Sequence, residues 1–391
     1  MTRRATQLIH HAYRAPSDFE SPAVPVAKGS TVFFPDVAAL RARTWLDRSG
    51  YTYGLHGTPT SFTLEERIAA LEGGCHTMLV SSGLAAISLV DIALLKSGDR
   101  VLLPDNVYGP NKAFTRHELA AWGVGHALYD PLDAASLEAA ISPATKLVWM
   151  EAPGSVTLEF PDLRALIGVV RRRAPQAVIA LDNTWGAGLA FDAFALGVDV
   201  TIHALTKYPS GGGDVLMGSV TCRDEALYRT LALSRSRLGH GVGMNDVELV
   251  LRNLSSLPLR YAAQDAAGRA FAAWCLRQRA FARVLHPASA GSPGHAHWAS
   301  YCSACAGLVT VEVDPRHTPA QVDAFVDALR VFRIGWSWGG PVSLAVPYDP
   351  KSIRQRPTPY QGTLVRFCLG LEAIDDLIAD AEQALASGLG G

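Results

Sequence analysis

The sequence has few cysteines, almost no net charge and no long apolar run, and each shortage excludes a class of protein. Six cysteines in 391 residues are too sparse and irregular for a disulfide framework, so we expect reduced thiols. A net charge of −1 offers no field that would attract nucleic acid or an anionic membrane. No segment has the apolar length of a membrane span or the pattern of a secretion signal. We therefore expect a cytoplasmic protein without nucleic-acid or membrane partners.

Patterns that bind metals are also scarce. Cys302 and Cys305 form one Cys-x-x-Cys pair, but no second pair and no histidine pattern completes a zinc site. We interpret the two cysteines as small buried residues that lead into a strand, and we expect no metal.

The composition that is present fits a compact enzyme, because 49% of the residues are hydrophobic and only 18% are charged. A chain of 391 residues is too long for one ordinary core. We expect three parts. Residues 1–58 are poorly periodic and form an N-terminal arm that contacts a neighbouring subunit. Residues 59–255 form an α/β domain, and residues 256–391 form a smaller α+β domain.

Between about residues 60 and 220, short apolar runs alternate with longer periodic segments, which indicates βα units around a mostly parallel sheet. The first helix is predicted over Phe62–Leu71, with Thr63 and Glu66 at the spacing of a capping box. A second helix is predicted over Leu84–Leu95. The predicted strands of this part are Thr77–Val80, Val101–Leu103, Lys146–Met150, Ala177–Leu181 and Val200–His203.

Beyond residue 255 the pattern changes to an Ala-rich helix followed by a mixture of strands and helices. Two further strands are predicted, over Leu308–Val313 and Val365–Leu369. The predicted helices are Arg260–Arg279, Pro319–Leu329 and Ile374–Leu385.

Lys207 is the most informative residue, because it follows the predicted strand Val200–His203 almost directly. An ammonium group at such a position is costly to desolvate unless it is paired or neutralised. A lysine with a lowered pKa is a good nucleophile, and forming a Schiff base with a carbonyl cofactor removes the charge. Taken alone, the position fits equally well a lysine that reaches the surface from a loop.

Asp182 ends the preceding strand and supports the cofactor interpretation. Pyridoxal phosphate acts as an electron sink while its ring nitrogen is protonated, and a buried carboxylate beside that nitrogen keeps it so. The carboxyl ends of parallel strands are also where α/β proteins bind ligands. The alternative is an Asx-turn or helix-capping role for Asp182.

A phosphate group needs hydrogen-bond donors, and the turn Ser82-Gly83-Leu84 offers backbone amides at the start of a predicted helix. This signal is weak by itself. The hydroxyl of Thr206, next to the lysine, is a further candidate.

These residues resemble the cysteine/methionine-metabolism family of pyridoxal-phosphate enzymes, and the resemblance runs from about Tyr51 to the C-terminus. It implies an α/β fold of type I, in which a large domain with a mostly parallel seven-stranded sheet carries a smaller C-terminal α+β domain. Within the family the chain is most similar to cystathionine β-lyases, since Trp338 follows Ser337 where γ-acting members usually carry leucine. The matching segments are Gly57-Thr58-Pro59-Thr60, Leu71-Glu72-Gly73-Gly74, Ser81-Ser82-Gly83, Tyr108-Gly109, Glu151-Ala152-Pro153-Gly154-Ser155, Asp182-Asn183-Thr184, Thr206-Lys207-Tyr208, Ser337-Trp338-Gly339-Gly340 and Gly362-Thr363-Leu364-Val365-Arg366.

The resemblance implies a role for each matching residue. Lys207 is the Schiff-base lysine, and Asp182 is the partner of the ring nitrogen. Tyr108 stacks on the ring and assists proton transfer. Arg366 binds the substrate carboxylate with the help of Ser337, and Trp338 and Tyr53 are further substrate-binding residues. The bulky Trp336 and Trp338 are expected to narrow the site, although aromatic residues there fit a packing role equally well. The implied phosphate ligands are Ser82, Gly83, Leu84, Thr206 and, from the neighbouring subunit, Tyr53.

The sequence departs from the family at two phosphate-binding positions. The family pattern Tyr-x-Arg reads Tyr53-Gly54-Leu55 here, so the arginine is missing, and Ala204 stands where a serine is common. His56 is the nearest substitute, although it is equally compatible with a surface residue. The two changes predict either weaker cofactor retention or a compensating cation at another position.

The implied activity is β-elimination from L-cystathionine or a related cysteine S-conjugate, which yields a thiol, pyruvate and ammonia. The alternatives are a γ-acting, sulfhydrylase or desulfhydrase member of the family, a nicotinamide oxidoreductase, and a cofactor-binding protein without catalysis. A nicotinamide oxidoreductase would need a Gly-x-Gly-x-x-Gly after the first strand, and this sequence lacks that motif. A role for Tyr53 in a neighbouring site implies a homo-oligomer of at least two subunits, and we expect a homotetramer.

Overall fold

A computed structural model of the chain describes residues 21–390, so the first 20 residues of the predicted arm lie outside it. Within this range the larger part of the molecule is built on one sheet. Its strands, in chain order, are β1 (His76–Val80), β2 (Arg100–Pro104), β3 (Gly125–Tyr129), β4 (Thr145–Glu151), β5 (Val178–Asp182), β6 (Val200–His203) and β7 (Gly218–Cys222).

The seven strands lie in the order β1-β7-β6-β5-β4-β2-β3. All neighbouring pairs are parallel except the two that involve β7, which runs antiparallel to both β1 and β6. The mostly parallel seven-stranded sheet that the sequence predicts is therefore confirmed. The carboxyl ends of β4, β5 and β6 lie side by side at one edge of the sheet.

Helices cover the two faces of this sheet, because the central strands are apolar on both sides and must be buried on both. Helices of this part are α1 (Val37–Ala42), α2 (Pro59–Glu72), α3 (Gly83–Leu94), α4 (Gly109–Phe114), α5 (Ala134–Ala140), α6 (Leu163–Arg173), α7 (Ala193–Leu196), α8 (Glu225–Leu238) and α9 (Met244–Leu254). A single π-helical turn, Thr115–Leu119, continues α4.

The C-terminal part has its own five-stranded sheet in the order β10-β11-β12-β9-β8, antiparallel except between β10 and β11. Its strands are β8 (Phe281–Leu285), β9 (Leu308–Val313), β10 (Arg333–Ile334), β11 (Leu344–Tyr348) and β12 (Leu364–Cys368). Its helices are α10 (Leu257–Cys275), α11 (His295–Tyr301), α12 (Pro319–Asp327), α13 (Pro350–Ile353) and α14 (Ile374–Gly388). Helices α10, α12 and α14 pack an apolar core against the sheet, so the predicted α+β architecture is confirmed.

The predicted start of the first helix is wrong. Helix α2 begins at Pro59, and its capping box is formed by Thr58 and Ser61 instead of Thr63 and Glu66. The backbone N–H of Thr58 donates to Ser61 Oγ over 2.8 Å, whereas Thr63 Oγ1 donates to the carbonyl of Pro59 inside the helix. Proline suits a first helical position because its missing N–H would have no partner there.

All six cysteines are unpaired. Cys305 is buried and Cys302 partly buried on the approach to β9. Within residues 21–390, no helix combines the length and apolarity that crossing a membrane requires.

Candidate active site

A cavity of about 760 Å³ lies at the carboxyl ends of the central strands of the large sheet. The start of α3, the start of α4 and strand β12 complete its walls. Most of the residues that the sequence predicts for the site line this one cavity, namely Ser82, Gly83, Leu84, Tyr108, Asp182, Thr206, Lys207, Trp336, Ser337, Trp338 and Arg366.

Lys207 extends into the cavity from the turn that follows β6. Its Nζ donates a hydrogen bond to Ser337 Oγ over 2.8 Å and lies 5.5 Å from the centre of the Trp338 ring. Burial, and then the nearby charge of Arg366, lower the pKa of Lys207 to about 8. In a fraction of the molecules the amine of Lys207 is therefore neutral and nucleophilic near neutral pH.

Asp182 ends β5 and shares the cavity with Lys207. Its Oδ1 accepts the N–H of Thr184 over 3.0 Å, which is the Asx-turn contact considered from the sequence. The second carboxylate oxygen, Oδ2, takes no part in this bond. Burial raises the pKa of Asp182, while the hydrogen bonds from Thr184 and the charge of His203 act in the opposite direction. A cation beside the free oxygen would stabilise the ionised form.

Thr184 joins the two strand ends that carry Asp182 and Lys207. Its Oγ1 accepts the N–H of Ala204 over 2.9 Å, and its own N–H donates to Asp182. Thr184 thus fixes the turn after β6 relative to the end of β5. Thr184 belongs to the matching segment Asp182-Asn183-Thr184. The sequence alone does not indicate that its hydroxyl binds the backbone N–H of Ala204.

Tyr108 stands at the start of α4 and lines the cavity. Burial is the main cause that raises the pKa of its phenol, and the charge of Asp182 adds to it. The phenol therefore carries its proton at neutral pH and can act as a hydrogen-bond donor. Its stacking on a cofactor ring stays a prediction.

The turn between β1 and α3 forms a cradle of backbone amides. Ser82 Oγ caps α3 by accepting the N–H of Ala85 over 3.0 Å, which leaves the amides of Gly83 and Leu84 without a partner among the described residues. A Cβ atom on Gly83 would lie 2.7 Å from the Cβ of Ala204, so only glycine fits against the turn after β6. The N-terminus of a helix with free amides is a suitable phosphate site.

Thr206 borders the cradle, but its hydroxyl already has two partners. Its Oγ1 donates to the carbonyl of Met217 over 3.1 Å and accepts the N–H of the same residue over 3.0 Å. These bonds tie the lysine turn to the chain just before β7. The predicted phosphate contact of Thr206 would compete with them and stays a prediction.

The segment Ser337–Gly340 closes the cavity beside the lysine. A Cβ on Gly339 would lie 2.9 Å from the backbone nitrogen of Tyr208, so this glycine lets the segment lie directly against the lysine turn. Ser337 has a φ of 141°, which is unusual for a residue with a side chain, and its Oγ accepts from Lys207. Trp338 contacts Tyr208, whereas Trp336 is three-quarters exposed at the cavity mouth.

Arg366 lies on β12 and is only 8% exposed. Its Nε has no hydrogen-bond partner, and within residues 21–390 no carboxylate forms a salt bridge with its guanidinium. A buried, unpaired guanidinium in a cavity wall is a site for a carboxylate, which arginine binds with two parallel hydrogen bonds.

Tyr53 does not reach the cavity of its own chain. It is half-exposed and pairs with Thr31 through an isolated β-bridge. Its contribution to a neighbouring site stays a prediction, as does the contact of the arm with another subunit.

His56 is a poor substitute for the missing arginine. Its Nδ1 lies 2.8 Å from Thr52 Oγ1, its Nε2 lies 3.4 Å from Ser236 Oγ, and its ring stacks on Trp45. Burial and the charges of Arg235 and Arg43 lower the pKa of His56, so it is neutral at pH 7. The side chain is occupied inside its own chain and supplies no positive charge.

The residues in the cavity fit pyridoxal phosphate on structural grounds. They supply a lysine with a lowered pKa, a carboxylate at a strand end, a helix start whose Gly83 and Leu84 amides have no partner among the described residues, and the unpartnered Nε of Arg366 for a substrate carboxylate.

Comparison with known proteins points in the same direction. Residues 5–386 match the model of the family described as Cys/Met metabolism PLP-dependent enzymes. The chain is 36% identical to cystathionine β-lyase of Bordetella avium, across 97% of this chain and 96% of the relative. It is 34% identical to cystathionine β-lyase of Salmonella typhimurium, across 92% of each. Among solved structures, a cystathionine γ-synthase of Xanthomonas oryzae in complex with cystathionine superposes with a TM-score of 0.87 at 28% identity, covering 96% of this chain and 95% of that one.

Proposed function

Because the chain belongs to the Cys/Met metabolism PLP-dependent enzyme family, we propose that it breaks the Cβ–S bond of L-cystathionine or a related cysteine S-conjugate. The products are a thiol, which is homocysteine from cystathionine, together with pyruvate and ammonia. The observation that carries this proposal is the convergence of Lys207, Asp182 and Arg366 on one cavity. The names of the similar β-lyases favour β-elimination within the family.

Arg366 binds the α-carboxylate of the substrate and so places its Cα next to Lys207. When bound, pyridoxal phosphate supplies an electron sink for the pair of electrons released at Cα. Asp182 keeps the proton on the ring nitrogen. Lys207 Nζ removes the Cα proton, which its pKa of about 8 allows near neutral pH.

Cleavage of the Cβ–S bond then needs a proton for the leaving sulfur. Tyr108, whose raised pKa keeps the phenol protonated, and Lys207, which has just gained a proton, are the two donors in the cavity. Trp338 lies beside Lys207 and limits the space around Cβ and Cγ, which disfavours the further proton shift of γ-chemistry.

The reaction is tested by incubating the holoenzyme with L-cystathionine and identifying the 2-oxo acid. Pyruvate is expected. The accumulation of 2-oxobutyrate instead would establish γ-elimination. The similarity to a γ-synthase structure keeps γ-chemistry as the second candidate.

The proposed assembly is a homotetramer in which pairs of subunits share active sites. The exposed apolar side chains of the arm support this arrangement, with Phe33 93% exposed and Tyr53 49% exposed. Residues 1–58 form this arm, residues 59–255 the cofactor-binding domain and residues 256–391 the C-terminal domain, and a cytoplasmic location stays part of the proposal. Light scattering of the purified protein tests the assembly, because a monomer would exclude a shared site.

A further inference from the structure

Glu151 is a cavity residue that the reaction described above does not use. It is the last residue of β4 and lies opposite Asp182 of β5 in the parallel register, so that two carboxylates stand side by side at the sheet edge. Its Oε2 accepts the backbone N–H of Tyr108 over 2.8 Å. Tyr108 is the N-cap residue of α4 and has no side-chain cap of its own, so this bond is a direct restraint on its backbone.

We propose that Glu151 is a positioning residue for Tyr108 and that it performs this role as an uncharged carboxylic acid. The catalytic consequence rests on the proposed function, whereas the hydrogen bond and the charge state do not.

The surroundings of Glu151 oppose a negative charge. Among the described residues no basic side chain lies within salt-bridge distance of it. Lys112 of α4 is a cation that acts on Glu151, but its Nζ is already bound to the carbonyl oxygens of Asp105 and Ile353. Two neighbouring carboxylates, each half-buried in the cavity wall, cannot both ionise readily.

Each of the two carboxylates accepts a backbone N–H, Asp182 from Thr184 and Glu151 from Tyr108, so their other neighbours decide which one keeps the proton. Asp182 accepts from Thr184 and has the buried His203 behind it, and both stabilise its ionised form. Burial, and next the charge of Asp182, raise the pKa of Glu151 well above its ordinary value, and the backbone N–H of Tyr108, the charge of Lys112 and the backbone of Ser155 oppose this rise only in part. The proton therefore lies on Glu151, and the negative charge lies on Asp182.

A neutral Glu151 has two consequences for the cavity. Asp182 then acts on the cavity without a second negative charge from Glu151. The phenol of Tyr108 likewise has no negative charge of Glu151 beside it. The carbonyl oxygen of the acid still accepts the N–H of Tyr108 and holds the start of α4 in place.

Glu151→Gln and Glu151→Ala separate charge from position. Glutamine keeps a neutral oxygen acceptor, so kcat should stay within about threefold of the wild type. Alanine removes the acceptor, so kcat should fall about tenfold or more with little change in KM, because Tyr108 is misplaced. If Tyr108 needed a charged carboxylate at position 151, glutamine would fail as alanine does. Wild-type-like activity of Glu151→Gln would therefore exclude a need for that charge.

Two measurements on the holoenzyme need no substrate. The infrared difference between wild type and Glu151→Gln at pH 7 should show the loss of a protonated carboxylic acid band, with Asp91→Asn as the control for another buried acid, whose pKa burial raises to about 8. Hydrogen exchange at the amide of Tyr108 should be unchanged in Glu151→Gln and faster in Glu151→Ala.

Loss of an ionised carboxylate band in Glu151→Gln, or slow exchange at Tyr108 in Glu151→Ala, would overturn the proposal. If the alanine variant does not fold, the infrared result on the glutamine variant still decides the charge state. An enzyme that is inactive on L-cystathionine but shows both signals would contradict the proposed function and leave this inference standing.

Discussion

The two ends of the cavity hold their ligands by different means. At the sheet end, Lys207, Asp182 and Arg366 are charged or titratable side chains that stand on or directly beyond strands, so the backbone ladder fixes their positions. At the predicted phosphate end, the candidate donors are the backbone amides of Gly83 and Leu84, and Leu55 stands where the family resemblance implies an arginine. The titratable groups are thus fixed by strands, whereas the predicted phosphate site relies on a helix N-terminus.

The largest effect is expected at Lys207. Lys207→Ala removes the group that moves the Cα proton, so turnover should fall on the order of 10³-fold or more. Lys207→Arg keeps a charge but not the amine and should fail similarly, while the exposed Lys96→Ala serves as a neutral control. Steady-state assays of pyruvate release make the comparison, and a Lys207→Ala enzyme with most of its activity would refute the scheme.

Replacing Arg366 should weaken substrate binding and leave cofactor binding unchanged. Replacing it by alanine removes charge-assisted hydrogen bonds to the α-carboxylate, so kcat/KM should fall roughly 10- to 150-fold. The dissociation constant of the cofactor should stay unchanged. Arg252→Ala, at an exposed pair with Glu248, is the matched control. Equal losses of cofactor and substrate affinity would show that the two ends of the cavity are not separate.

The phosphate end can be strengthened by restoring a charge. Leu55→Arg should tighten cofactor binding about tenfold in the oligomer, because an arginine adds a charge-assisted contact. Leu55→Gln supplies a polar side chain without the charge and should not. His56→Ala should leave cofactor affinity unchanged, because the ring is neutral and bonded within its own chain. Fluorescence titration of the apoprotein measures all three, and weaker binding in His56→Ala would contradict the account.

The pH dependence of cofactor attachment is the smallest effect. Only the neutral amine of Lys207 attacks the aldehyde, and its pKa of about 8 lies below the ordinary lysine value. The attachment rate should therefore rise about fivefold between pH 7 and pH 8 and level off above that. The rate with Nα-acetyl-lysine, which has a free ε-amine, is measured in parallel and corrects for titration of the cofactor itself. A rate that keeps rising toward pH 10 would assign an ordinary pKa to Lys207.

The sequence predicts the sheet end of the site better than its surroundings. The bounds of β6 and β9 are as predicted, because both are short apolar runs with clear breaks. Strand β7, Gly218–Cys222, was missed because its five residues lack a periodic pattern, and they become a strand only by pairing with β1 and β6.

Tertiary contacts also explain which site residues were missed. Glu151 belongs to a segment that matches the family, but its bond to the backbone of Tyr108 joins residues 43 positions apart. The cap at Thr58 had a local signal, since proline follows directly, and it could have been read from the sequence. The predicted contact of Tyr53 with another subunit would involve a second copy of the chain, and no pattern within one chain defines it.

Reduction of the holoenzyme with borohydride, followed by peptide mass mapping, tests the central claim most directly. Borohydride fixes pyridoxal phosphate permanently to the lysine that holds it. The account predicts a single labelled peptide that contains Lys207 and no label in Lys207→Ala. A label on another lysine, such as Lys112 in the wall of the same cavity, would contradict it.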